Sequence, residues 1–139
     1  NIQLVKINST DRLSVGLRPM RVTEIRDELK RIISNPYDDP NYPEKVTVVK
    51  TYNGKDYEFQ VSKGMISIQS DSGSSYYTYL IVYNEIIGAF NEIRDNESLR
   101  VFGKKFVDLS EGQQKIIEEV IPYSISLDET EAFGTEPRF

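Results

Sequence analysis

The 139-residue chain contains neither cysteine nor histidine. Thiol nucleophiles, imidazole bases, zinc sites and redox motifs are removed together. The lack of Cys leaves the compartment open, because an unbridged domain is at home in cytoplasm or periplasm. An excess of positive charge is missing too: 17 basic residues stand against 22 acidic ones, a net charge of −5. Binding to phosphate backbones needs a basic face, so a nucleic-acid partner is disfavoured. No run approaches the ~20 consecutive apolar residues that cross a bilayer. The chain begins at Asn1 rather than Met, which suggests a piece or a processed form of a longer product. Its length fits one domain with a core that needs no metal or disulfide to hold it.

What the sequence does have is a strong strand-turn-helix signal. The apolar strand Met65–Gln69, expected at the centre of the sheet, runs into the polar turn Ser70–Ser75 and then into a helix expected from Tyr76 to Arg94. Tyr79, Leu80, Tyr83, Ile86, Ile87, Phe90 and Ile93 recur at spacings of three and four and so share one face, expected to anchor the core. The Gly73-Ser74-Ser75 turn lacks the glycine spacing and lysine of a phosphate loop, and helix capping by Ser74 or Ser75 is the favoured reading. Upstream, Ile2–Ile7 and Leu13–Val15 alternate across the turn cluster Asn8–Asp11 and predict a hairpin, closed off by Gly16 and Pro19. A helix follows over Val22–Ile33. Asn35–Glu44, with three prolines, is a rigid loop whose Asp38-Asp39 pair lacks the later ligands of a calcium site. Asn53-Gly54, between Val46–Val49 and Tyr57–Val61, is a strong hairpin signal.

After Asp95-Asn96 the polarity predicts a connector to Asp108, pinned by Phe102 and Phe106. Ser110 and Gln113 form a capping box for a short helix through Val120, stopped by Pro122. Tyr123–Leu127 alternates again and reads as a closing edge strand. Residues 1–127 are expected to form one domain, with Asp128–Phe139 an acidic tail ordered only against a neighbour. The expected fold is a two-layer α+β domain: a mixed sheet of about five strands, two main helices on one face, a short third helix and an inserted hairpin.

Chemistry-bearing clusters are few. Glu118-Glu119 are adjacent on a helix and point apart, and Asp38-Asp39 share a loop, so neither pair converges as acid–base catalysis requires. The reading is therefore non-enzymatic, with no cofactor or metal. The candidate partner or dimer surface consists of Tyr76 and Tyr77 at the start of the main helix, with Tyr123, Ser124, Ile125, Ser126 and Leu127 of the closing strand.

Several stretches taken together resemble the ExbD/TolR family, and more narrowly the Bacteroidetes-type ExbD proteins. They are Gly64–Asp71, Tyr76, Asn84-Glu85, Asn91–Asp95, Phe102–Phe106, Asp108–Glu111, Ile121–Ser126, and Pro19-Met20 after the opening hairpin. The resemblance covers most of the chain through the order of its pieces rather than a catalytic motif. It implies a sheet with two helices on one face, a single membrane helix preceding Asn1, and a periplasmic domain that dimerises. It further implies an inner-membrane motor in which an ExbB-like channel partner and a TonB-like protein couple the proton gradient to outer-membrane transport. The family's proton-carrying Asp would lie in that upstream helix, outside this sequence. A TolR-like component that binds peptidoglycan in a Tol-Pal system is the alternative. The Asn35–Lys63 segment is an insertion relative to compact members, and it unsettles any transfer of their surface contacts.

Overall fold

A computed structural model describes residues 1–128. Seven strands and three α-helices are described: β1 Ile2–Ile7, β2 Leu13–Val15, β3 Arg18–Met20, α1 Val22–Ser34, β4 Lys45–Tyr52, β5 Lys55–Ser62, β6 Met65–Ser70, α2 Tyr76–Phe102, α3 Glu111–Val120 and β7 Ile125–Asp128, with a 3₁₀ turn at Phe106–Asp108. The architecture is the expected α+β one. A five-stranded mixed sheet has the order β3-β2-β1-β6-β7, and β4-β5 forms a separate two-stranded sheet.

The main core follows from alternation. Val5 and Ile7 of β1, Leu13 and Val15 of β2, and Ile66 and Ile68 of β6 are buried against one sheet face. Over them lie Ile25, Leu29, Ile32 and Ile33 of α1, with Val82, Ile86, Ala89, Phe90 and Ile93 of α2. Each such side chain contributes roughly 1.5–3 kcal/mol on burial. Ser75 caps α2 by accepting the Thr78 N–H at 3.0 Å, and its own N–H donates to Asp11 of the β1–β2 turn at 2.8 Å. The start of α2 is thus tied to the far end of the sheet.

Four expectations change. Pro19 does not end the sheet but sits in β3 opposite Ser14, where an edge position tolerates a missing donor. Met65–Ser70 is not the middle strand; β1 is, and β6 lies between β1 and β7. The main helix does not stop at Arg94: it runs to Phe102, so most of the expected connector is helical. Ser98 is fully buried and donates to the Arg94 carbonyl at 2.7 Å, while Gly103 (φ 76°) closes the helix by donating to the Leu99 carbonyl. The polar residues had hidden a face that packs. Asp128, expected to open the tail, instead closes β7 opposite Gln69. Residues 129–139, the rest of that tail, lie outside the described residues.

The extra length of α2 builds a second core. Phe59 of β5 is buried with Leu109, Ile116, Ile117 and Val120, ringed by Tyr52, Tyr57, Val101, Phe102 and Phe106. Ile121 packs against both cores. The inserted hairpin is therefore anchored by the end of α2 and by α3. Its turn is Asn53-Gly54, both at positive φ, as the sequence predicts.

Candidate partner interface

β7 ends the main sheet, and among the described residues no strand pairs with its outer side. It runs parallel to β6, with Ile125 opposite Ile66 and Leu127 opposite Ile68. The Ile66 N–H donates to the Ser124 carbonyl at 2.9 Å, which fixes the alternation of the ladder. Ser124 and Ser126 thus direct their backbone groups inward to β6, while Ile125 and Leu127 direct theirs outward. The Ile125 N–H is taken up locally by the Tyr123 carbonyl at 3.0 Å. Among the described residues nothing pairs with the Ile125 carbonyl or with either polar group of Leu127 along the rim. The side chains of Ile125 and Leu127 share the face of Ile66 and Ile68, toward the helices; Leu127 keeps 41% of its surface exposed.

A clamp holds this strand in place. The buried Arg94 donates from Nε to the Ile121 carbonyl at 2.9 Å, and its guanidinium lies 4.0 Å from the Tyr123 ring centre and 5.8 Å from that of Phe106. Tyr123 also donates its hydroxyl to Asn91 and meets Phe90 edge-on. These bonds identify the flank of α2 that overlooks β7. By helical spacing, Tyr76, Leu80, Tyr83 and Ile87 fall on the same flank as Asn91 and Arg94. Tyr76 and Leu80 are exposed, Tyr83 and Ile87 half-buried, and the rings of Tyr76, Tyr79 and Tyr83 stack in succession. An apolar strip through Leu80, Tyr83 and Ile87 thus runs beside an edge that no described strand pairs. That combination suits an extended segment adding as a sixth strand, with alternate apolar side chains against the helix.

The sequence-predicted residues divide. Tyr123, Ser124, Ile125, Ser126 and Leu127 lie together at the edge, with Tyr123 engaged as the clamp rather than free. Tyr76 belongs to the flanking strip. Tyr77 does not: one residue further on, it is turned by about 100° and stands 73% exposed on another side. Sequence reasoning assigned Leu80, Tyr83 and Ile87 to the core and missed Arg94 as a clamp. The signal for Arg94 was a cation on the helix flank of Tyr83 and Ile87.

The opposite edge is closed to pairing. β3 is three residues long, contains Pro19, and presents the exposed Arg18. Some charged groups act as struts between the two main helices. Arg26 of α1 reaches Glu85 at 3.1 Å and Glu92 at 3.0 Å on α2, and Lys30 meets Glu92 at 2.7 Å. Gly88 makes room for this crossing, since a Cβ there would fall 2.5 Å from the Arg26 guanidinium carbon. Of the carboxylates, Glu119 meets Lys50 at 3.6 Å and Asp38 meets Lys45 at 3.3 Å. Among the described residues no three acidic side chains cluster in a metal-holding arrangement. No described helix is long and apolar enough to cross a membrane.

The hydrogen bond from Lys30, then that from Arg26, holds the Glu92 carboxyl below its ordinary value of 4.5. A carboxylate depressed on folding stabilises the fold above its unfolded value and loses that contribution as pH falls through the folded one. Glu92 is 38% exposed, so solvent screening keeps the effect small. Glu92→Gln is expected to flatten the acid limb of the stability curve below about pH 4.5 relative to the parent. Urea melts at pH 3 to 7 check this, and an unchanged acid limb would discount the strut.

Comparison with family models, curated proteins and solved structures finds no match.

Proposed function

We propose that the chain is the periplasmic domain of an ExbD-like inner-membrane motor component. With an ExbB-like channel protein and a TonB-like protein, it couples the proton gradient to energised outer-membrane transport. Its role in that reading is mechanical and non-catalytic: force passes through contact with a TonB-like segment and with a second copy of the domain. One observation supports this most directly. A clamped strand, β7, offers backbone groups that are unpaired among the described residues, beside an apolar helix flank, the arrangement strand addition needs.

The test is on the intact gene product. It is expected to fractionate with membranes and to bring an ExbB-like protein through detergent purification. A photo-crosslinker at Leu127 is expected to capture a TonB-like protein or a second copy. A product free of membranes, or crosslinks absent from β7 yet abundant elsewhere, would overturn the proposal. Retention on purified peptidoglycan without capture of a TonB-like protein would point instead to a TolR-like role.

A further inference from the structure

Where the two cores meet, the seam does not close. A hollow of about 250 Å³ is bounded by the end of α1, the base of the β4–β5 hairpin, the middle of α2 and the segment entering β7. Its floor is apolar, with Ile33, Phe90, Ile93 and Val120. The walls are fixed from behind. Asn35, buried, donates to the Asp39 and Pro43 carbonyls at 3.1 Å each and accepts the Asp39 N–H at 2.8 Å. Pro43 in turn lies so close to Gly64 that a Cβ there would come within 2.4 Å of it.

The rim supplies polar groups that the fold does not use. Among the described residues, the side chains of Ser34, Asn96 and Ser124 make no hydrogen bond. The cation is Lys45. Its side chain is only 17% exposed, yet its one ion-pair partner among the described residues, at 3.3 Å, is Asp38, 81% exposed and largely hydrated. A covered lysine with so weak a partner is uncommon. The other charge on the rim, Glu97, is neutralised by Arg100, which donates to both carboxylate oxygens at 2.7 and 2.8 Å.

From this arrangement we infer that the seam binds a small monocarboxylate with a compact apolar body, its carboxylate on Lys45 and its body against Ile33, Phe90, Ile93 and Val120. The volume falls below the roughly 300–1,000 Å³ of drug-sized pockets, so the ligand is small. The negative end of α1 at Ser34 repels an anion and sets the orientation, leaving the Lys45 side as the place for charge. The site joins both cores and is independent of the proposal for β7. A ligand here would hold the hairpin unit against the sheet.

Isotope-labelled protein titrated with sodium benzoate, and separately with benzyl alcohol at matched ionic strength, tests this. Benzoate is expected to give saturable shifts at the Ile33, Ile93 and Val120 methyls, at an affinity at least about tenfold above that of the alcohol. Lys45→Met should remove this advantage and leave the alcohol unchanged. Lys45→Arg should retain benzoate binding, and it carries the test should the Met variant not fold. The exposed Lys63→Met is the matched control. Shifts that do not saturate, that map away from the seam, or that survive Lys45→Met unchanged would overturn the assignment.

Discussion

Replacing Leu127 by proline is expected to abolish strand addition while leaving the domain folded. The Leu127 N–H faces outward from β7, so its loss removes no bond to β6. An incoming strand would find a missing donor and a pyrrolidine ring at the centre of its pairing row. Its own facing carbonyl would be left unpaired, at about 1–3 kcal/mol. If β7 is the docking edge as proposed, capture of a TonB-like protein, or self-association of the domain, should therefore fall by at least about tenfold. Because Leu127 is already 41% exposed, stability should change by no more than about 1 kcal/mol. Ser126→Pro is the contrasting variant: that N–H points to β6, and its removal should unzip β7. Affinity and melting temperature measured on both variants separate the cases. Unimpaired capture by folded Leu127→Pro protein would exclude β7 as the docking edge.

Phe59→Ala is expected to be the most destabilising single change in the hairpin unit, at about 3–5 kcal/mol. Phe59 is almost fully buried and sits at the middle of the second core, between β5 and α3. The two cores share Ile121 as a common packing residue, so the loss should be unevenly distributed. Hydrogen exchange is expected to accelerate first in β4, β5 and α3, with β1 and β6 remaining protected. Uniform acceleration across both sheets would mean that the domain is one cooperative unit despite its divided core.

Apart from β3, hidden by Pro19, most strands and helices were legible because their patterns are local. Alternation in Ile2–Ile7, the three-four spacing in α2, the Asn53-Gly54 turn and the Ser110–Gln113 capping box each act within a few residues. The end of α2 was not legible. Residues 95–101 are polar on average, and what keeps them helical is packing of Ser98, Val101 and Phe102 against elements distant in sequence. The same holds for the candidate interface. That the chain closes on a strand could be read from the alternation at Tyr123–Leu127; that the strand itself spans Ile125–Asp128, leaving out Tyr123 and Ser124, and that it lies parallel beside β6, could not. Arg94 read as the end of a helix because its partners, Ile121, Tyr123 and Phe106, come together only on folding. The second core escaped notice for the same reason.

The two ends of the main sheet differ in a way that limits how copies can associate. One rim accepts hydrogen bonds; the other is shortened, prolyl and cationic. In the language of polymer chemistry the main sheet is a monofunctional unit. Two copies joined through their receptive rims about a twofold axis would carry a capped strand at each end of the joined sheet, so growth through this sheet terminates at the pair; the separate β4–β5 sheet is not bound by that limit.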